Sequence, residues 1–150
     1  MPVRYFDTSA LVKHYHGELG SDRVDAIFAD LQNQLFVSRF AIAELFSAFA
    51  RKVRSGVLAI GQFDLLVVRT RTEVATGVLS VVAVVDNDYS EAERLLQVYS
   101  CGHALRAGDA LQLAVASRMR GIVGDFICSD HDLGEVARLE GFSVTNPEQP

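Results

Sequence analysis

The sequence predicts an α/β protein in which a parallel sheet carries helices on both faces. Segments with strand-like and helix-like patterns alternate along the 150 residues, and this alternation is typical of parallel strands joined by helical crossovers. Residues 79–85 are apolar apart from one serine and are mostly valine, as expected for a strand covered on both faces. The chain is 49% hydrophobic and has an ordinary length for one domain, which we predict over residues 1–150.

The first half of the chain predicts two strands and four helices. The strands are the short apolar runs Val3–Phe6 and 35–37. Ser21 is interpreted as the cap of the second helix and Gly56 as the end of the third. The helices follow apolar residues at helical spacing, over Thr8–Tyr15, from Ser21 to Leu31, over Arg39–Arg54, and over about 59–75.

The second half predicts three further strands and three helices. Asp86 and Asp88 flank an asparagine after the third strand, and we interpret them as turn residues. The capping-box pattern Ser90-x-x-Glu93 then opens the next helix. The strands are expected at 79–85, 124–128 and 142–145. The two later helices are expected at 108–119 and 132–140.

Composition and charge exclude several classes of protein. The net charge of −5 argues against binding nucleic acid through bulk positive charge, although it permits contact with phosphate through bound cations and a few local basic residues. No apolar stretch approaches the ~20 residues of a membrane span, and the N-terminus lacks a signal-peptide core, so we expect a cytoplasmic protein. Cys101 and Cys128 are expected to be buried thiols rather than zinc ligands.

Four acids stand out by their positions in the predicted elements. Asp7 directly follows the first strand, Asp130 follows the strand that ends near Ser129, and Asp109 begins the helix at 108. Glu44 lies inside the apolar third helix. Because sites in open parallel sheets lie at the carboxyl ends of the strands, these acids are candidates for one shared pocket.

Each acid also has a structural interpretation that remains open. Asp7, Asp109 and Asp130 each precede or begin a helix, where an aspartate caps backbone N–H groups. Glu44 could lie on a solvated face with Arg51 as its partner, although Phe40 on that face suggests partial burial. A partly buried carboxylate needs a positive charge nearby.

Taken together, the four acids favour a site for Mg²⁺ or Mn²⁺. Hard divalent cations prefer carboxylate oxygen, and acids held close together without a cation would repel one another. Such an ion can polarise a phosphodiester, activate a water and stabilise the leaving oxygen. The side chains beside these acids, which could orient a ligand or contact phosphate, are Thr8, Ser9, Ser129 and Asp132.

The basic side chains near the predicted site are less informative. Lys13 follows Asp7 on the first helix and Arg39 precedes the helix of Glu44. Either one could contact an RNA backbone or be an ordinary surface charge. His131 is the histidine nearest to the acids and is given no catalytic role.

Five segments together resemble the PIN-domain family, and most closely the VapC-type toxins of bacterial toxin–antitoxin pairs. The resemblance covers essentially the whole chain in order. The segments are Tyr-Phe-Asp7-Thr-Ser-Ala-Leu-Val-Lys, Ala-Ile-Ala-Glu44-Leu, Leu-Arg-Ala-Gly-Asp109-Ala-Leu-Gln-Leu-Ala, Ile-Cys-Ser-Asp130-His-Asp-Leu, and Glu-Gly-Phe-Ser-Val-Thr-Asn-Pro.

The resemblance implies a three-layer α/β/α sandwich with a central, mostly parallel sheet. It also implies Mg²⁺- or Mn²⁺-dependent cleavage of RNA that leaves 5′-phosphate and 3′-hydroxyl ends. The acidic quartet, defined here as Asp7, Glu44, Asp109 and Asp130, would hold the metal. A homodimer and a cognate antitoxin that blocks the site are implied as partners.

Two residues depart from the pattern of the relatives. Gln112 stands where they often carry histidine, and Gly108 stands where a bulkier residue is common. We expect neither residue to touch the acidic quartet.

Three classes of function follow from these observations. The leading hypothesis is the metal-dependent ribonuclease. The alternative is a binding module with the same fold that acts through protein contacts, with weak metal binding or none. A phosphotransfer or receiver protein is disfavoured, because the Asp-x-Asp pattern and a late lysine are missing.

Overall fold

The computed structural model describes residues 1–150 and contains a five-stranded, all-parallel sheet with helices on both faces. This confirms the predicted three-layer α/β/α architecture. The elements in chain order are β1 (Val3–Phe6), α1 (Thr8–Tyr15), α2 (Ser21–Ala29), β2 (Gln34–Ser38), α3 (Arg39–Arg54), α4 (Ile60–Ala75), β3 (Ser80–Val82), α5 (Asp86–Tyr99), α6 (Ala107–Arg118), β4 (Val123–Ile127), α7 (His131–Leu139) and β5 (Val144–Thr145).

The strand order β3-β2-β1-β4-β5 places the first strand at the centre of the sheet. The chain moves outward from β1 through β2 to β3 and then crosses back to build β4 and β5 on the other side. The direction of winding therefore reverses between β1 and β4. In open α/β sheets, the crevice at the carboxyl ends of the strands beside such a reversal is where ligands bind.

Two hydrophobic cores lie on opposite faces of the sheet. Alternate residues of a strand point to opposite faces, so Tyr5 packs in one core with Leu113 and Phe126, whereas the adjacent Phe6 packs in the other with Leu45. Helices α5, α6 and α7 cover the first face, and α1 and α3 cover the second. β1 and β4 each end in apolar residues that face both cores, and these residues are what made the two central strands recognisable in the sequence.

Helix α5 begins earlier than the sequence predicted. We expected a turn at Asp86 and Asp88 with the helix opening at Ser90, but both aspartates lie in its first turn. Asp88 is buried, accepts a hydrogen bond from the backbone N–H of Val85 at 2.8 Å, and pairs with Arg118 at 2.7 Å. Arg118, whose charge permits the burial of Asp88, lies thirty residues further along the chain, so local sequence patterns could not reveal this pair. β3 is also shorter than predicted and ends at Val82.

Helix α2 also differs from its predicted form. Gly20, not Ser21, is its N-cap, with φ 90°, and the helix ends at Ala29. A Cβ on Gly20 would lie 2.9 Å from the backbone of Pro147, so the close approach of the C-terminal segment also requires glycine here. Leu31 is therefore 89% exposed instead of buried.

Two further sequence expectations are tested by the fold. Cys128 is buried as expected, but Cys101 is exposed, because it lies in the turn after α5 and not on a packed element. None of the helices is long and apolar enough to cross a membrane.

Candidate active site

The acidic quartet lines one cavity of about 270 Å³ at the carboxyl edge of the sheet. β1 and β4 are neighbours, and the backbone N–H of Asp7 donates to the carbonyl of Ile127 at 3.0 Å, so the two strands end side by side. Asp7 and Asp130 follow these strands as the N-caps of α1 and α7. Glu44 enters the cavity from α3 and Asp109 from the first turn of α6. The capping interpretations are therefore correct for Asp7 and Asp130, yet capping leaves both side chains at the cavity.

Asp7 is the most deeply buried member of the quartet, with 3% of its surface exposed. Its Oδ2 atom accepts hydrogen bonds from the backbone N–H of Ser9 at 3.0 Å and from the Ser9 hydroxyl at 2.6 Å. Burial raises the pKa of Asp7 to about 6, with further contributions from Asp109 and Glu44, while the Ser9 hydrogen bonds oppose the rise. The protein groups around Asp7 therefore disfavour the charged form of this carboxylate.

Ser9 joins the ends of the two central strands. Its hydroxyl donates to Asp7 and accepts from the backbone N–H groups of Ser129 and Asp130 at 3.0 and 3.2 Å. This places Ser9 between two members of the quartet. The Ser129 hydroxyl is buried nearby without a hydrogen-bond partner, so its predicted part in orienting a ligand has no support among the protein contacts.

Glu44 is held by neutral donors and not by the basic partner considered from the sequence. Its Oε1 atom accepts from the Thr8 hydroxyl at 3.0 Å and from the Gln112 side-chain amide at 2.7 Å. Arg51 lines the same cavity but makes no ion pair with Glu44.

The expectation that Gln112 does not touch the quartet was wrong, and Gly108 lies beside Glu44 without a side chain to contact it. Gln112 donates directly to Glu44, and a Cβ on Gly108 would lie 3.3 Å from Glu44 Oε2 and 3.1 Å from Phe40 Cε1. Both residues lie on α6, and the sequence could not show that the start of this helix approaches the Glu44 side chain of α3.

Arg106 is the functional candidate that sequence reasoning missed. Its backbone N–H and its Nε donate to Asp109 Oδ2 at 3.1 and 3.2 Å, and its Nη2 lies 3.9 Å from Asp130 Oδ2. The signal available in the sequence was the spacing of three residues between Arg106 and Asp109 at the start of a helix.

The donor set of the cavity suits a hard divalent cation. Asp7 Oδ1 and Glu44 Oε2 accept no hydrogen bond, and Asp130 Oδ2 has only the distant Arg106. In Asp7 and Glu44 the protein thus holds one carboxylate oxygen and leaves the other unpaired, whereas both oxygens of Asp109 accept from Arg106. As the side chains stand, no three acids converge closely enough to form a ready-made metal cage. This is compatible with Mg²⁺, which needs only one or two direct carboxylates and retains several waters.

The other sequence candidates lie away from the cavity. Asp132 does not line it, and its nearest basic partner is His103 at 3.8 Å. His131 lines a separate, smaller cavity. Lys13 is buried and pairs with Glu18 and Glu148, so it is neither a surface charge nor available to RNA. One of its two carboxylate partners, Glu148, lies near the C-terminus of the chain.

Comparison with known proteins points to one family and one fold. The model of the PIN domain family matches residues 4–139. No curated protein matches the sequence. Among solved structures, this chain is similar to VapC20 of Mycobacterium tuberculosis, a toxin that cleaves the sarcin-ricin loop. The two share 16% sequence identity with a TM-score of 0.68, and the match covers 93% of this chain and 95% of that one.

Two further solved structures are also similar to this chain. FitAcB from Neisseria gonorrhoeae matches with 16% identity, a TM-score of 0.68, and coverage of 98% of this chain and 99% of that one. A toxin–antitoxin complex from Klebsiella pneumoniae matches with 21% identity, a TM-score of 0.63, and the same coverage. At these identities the likeness concerns the fold.

Proposed function

Since this chain belongs to the PIN domain family, we propose that it is a Mg²⁺- or Mn²⁺-dependent endoribonuclease and the toxin of a type II toxin–antitoxin pair. The observation that carries the proposal is the convergence of four carboxylates from four separate elements on one cavity. Repulsion among these acids is costly unless a cation is present. The proposed single nuclease domain spans residues 1–150.

In this proposal the acidic quartet holds the cation, and Asp7 and Glu44 do so through the oxygens that protein donors leave free. When bound, the cation would polarise the phosphodiester, lower the pKa of a water molecule and stabilise the leaving oxygen. Ser9 keeps Asp7 and the start of α7 in register across the two strand ends. Asp7 then presents Oδ1 to the cavity because Oδ2 is occupied by Ser9.

Arg51 and Arg106 are the basic side chains that line the cavity, and we propose that they contact RNA phosphate. They replace Lys13 and Arg39, the two candidates taken from the sequence. The Arg106 side chain is 78% exposed, so it can turn from Asp130 toward a phosphate without leaving a buried space behind. Local basic groups of this kind allow a protein with a net charge of −5 to bind an anionic polymer.

The partners in this proposal are an RNA substrate, a cognate antitoxin and a second copy of the chain, all in the cytoplasm. Structures similar to this one include toxin–antitoxin complexes from Klebsiella pneumoniae and nontypeable Haemophilus influenzae. A basic side chain of an antitoxin would find in this cavity the same carboxylates that Arg106 contacts here. Light scattering of the isolated chain tests the dimer.

The decisive experiment is RNA cleavage by the purified chain with Mg²⁺ or Mn²⁺, with EDTA, and after Asp7→Asn. We expect cleavage only with metal and its loss in the variant, since the variant lacks the ligand charge. Asp64→Asn, an exposed change on α4, is the matched control and should keep full activity. If Asp7→Asn retained full metal-dependent cleavage, the assignment of the site would be wrong.

A binding module without catalysis is the second candidate, and one observation favours it. Arg106 already supplies positive charge to Asp109 and Asp130, so part of the cavity is neutralised without metal. Calorimetry with Mn²⁺ separates the two functions. Absence of binding at millimolar Mn²⁺ would support the module, and saturable binding would support the nuclease.

A further inference from the structure

We infer that Gln112 is a positioning residue that orients Glu44 for metal binding, an inference that rests on the proposed function. Gln112 belongs to α6 and Glu44 to α3, sixty-eight residues apart in sequence. Gln112 is fully buried and does not line the cavity, so it would act on the metal only through Glu44.

A directed chain of hydrogen bonds runs from the end of β2 to Glu44. The Ser38 hydroxyl accepts from the backbone N–H of Ala41 at 2.9 Å and donates to Gln112 Oε1 at 2.7 Å. Gln112 Nε2 then donates to Glu44 Oε1 at 2.7 Å and to the Thr8 hydroxyl at 2.9 Å. Thr8 donates its own proton to the same Glu44 oxygen at 3.0 Å. Every donor in the chain points toward Glu44, which is its only final acceptor.

The surroundings of Gln112 show that packing alone does not require an amide. The residues beside it on α6, from Ala110 to Ala116, are buried and apolar. A buried amide lowers stability unless its donors and acceptor are satisfied, and here all of them are used by Ser38, Thr8 and Glu44. Glu44 sets the orientation of the amide, because an ionised carboxylate can only accept, so Nε2 faces Glu44 and Oε1 faces the Ser38 hydroxyl.

The consequence for Glu44 is that its two oxygens differ. Two donors saturate Oε1, and Oε2 remains without a donor at the side where α6 has no Cβ on Gly108. Glu44 would therefore approach a cation through Oε2 alone. Groups that orient a ligand in this way typically change metal affinity by about 10- to 100-fold when removed.

The test is Mn²⁺ calorimetry on Gln112→Met, together with the melting temperature measured without metal. Met keeps the length and apolar character of the side chain but cannot donate. We expect Mn²⁺ affinity to fall by about 10-fold or more, beyond any change explained by melting temperature. Gln97→Met, an exposed change on α5, is the matched control and should bind as the wild type does.

Two more variants keep the inference testable if Gln112→Met fails to fold. Gln112→His retains one N–H donor and should recover part of the affinity. Thr8→Val removes the second donor to Glu44 from a partly exposed position and should weaken Mn²⁺ binding while leaving α1 folded. Recovery by histidine together with loss in Thr8→Val supports positioning through hydrogen bonds.

The outcomes also separate this inference from the proposed function. If the wild type binds Mn²⁺ and Gln112→Met or Thr8→Val binds it equally well, the positioning role is refuted while the metal site stands. If the wild type itself binds no Mn²⁺, both the proposed function and the positioning role fail.

Discussion

Replacing Asp7 with asparagine should stabilise the metal-free protein at neutral pH. The pKa of Asp7 is about 6 instead of 3.8, chiefly because of burial and then because of Asp109 and Glu44. At about 1.4 kcal/mol per pKa unit, ionised Asp7 lowers the free energy of unfolding by about 3 kcal/mol above pH 7. Asparagine caps a helix as well as aspartate does and can accept the Ser9 hydrogen bonds. The melting temperature should therefore rise by roughly 6–12 °C.

The pH dependence gives this prediction its sign. Between pH 3.8 and about 6 the folded wild type holds a proton that the unfolded chain has lost, so wild-type stability falls as pH rises through this interval. The advantage of Asp7→Asn should thus be largest above pH 7 and shrink to about a third at pH 4.5. Differential scanning fluorimetry with EDTA at the two pH values measures it. Saturating Mn²⁺ should stabilise only the wild type.

A buried aspartate with a cationic partner provides the control. Asp88 is as buried as Asp7 but pairs with Arg118 at 2.7 Å. Asp88→Asn should therefore lower the melting temperature at neutral pH, the opposite of Asp7→Asn. The reasoning would be refuted if Asp7→Asn destabilised the metal-free protein at pH 7.5, or if its advantage were equal at both pH values.

Three further variants have predicted outcomes. Arg106→Gln should lower the melting temperature measured without metal, because the guanidinium neutralises Asp109. The same variant should bind Mn²⁺ more tightly in calorimetry, since the guanidinium competes with the metal. Weaker Mn²⁺ binding would contradict this. Gly108→Ala should leave the free energy of unfolding in urea nearly unchanged, since the higher helix propensity of alanine offsets the close contact of the new Cβ. It should nevertheless reduce Mn²⁺ affinity, because that Cβ would lie 3.3 Å from Glu44 Oε2. Lys13→Met should cost about 1–2 kcal/mol in urea unfolding, a value discounted because both carboxylate partners of this buried cation are about one-third exposed. An unchanged unfolding midpoint would show that these pairs contribute nothing.

The sequence was sufficient for the features that depend on near neighbours in the chain. β1 and β4 end in consecutive buried apolar residues, and α1 and α3 carry apolar residues at helical spacing, so their positions were predictable from local pattern. The start of α5 was not, because the competing capping pattern at Ser90 is equally local and the burial of Asp88 depends on Arg118. Local pattern cannot choose between two acceptable caps when a distant partner decides the matter.

The order of the elements along the chain also limits where the candidate site can lie. Strands that alternate with helices form a parallel sheet, and acids placed at the ends of adjacent strands then share an edge. This reasoning located Asp7 and Asp130 at that edge, where the structure has them. Catalytic roles for the quartet remain predictions.

The sequence by itself determined which atoms are available at the site, namely carboxylate oxygens at the start of helices and beside strand ends. Only the tertiary structure decided which charge or donor faces each of them. Arg106 rather than Arg51 pairs with the acids, Gln112 holds Glu44, and Lys13 is buried. The physical reason is that the free energy of a buried charge depends on the groups within a few ångströms, and those groups come from parts of the chain as far apart as 135 residues.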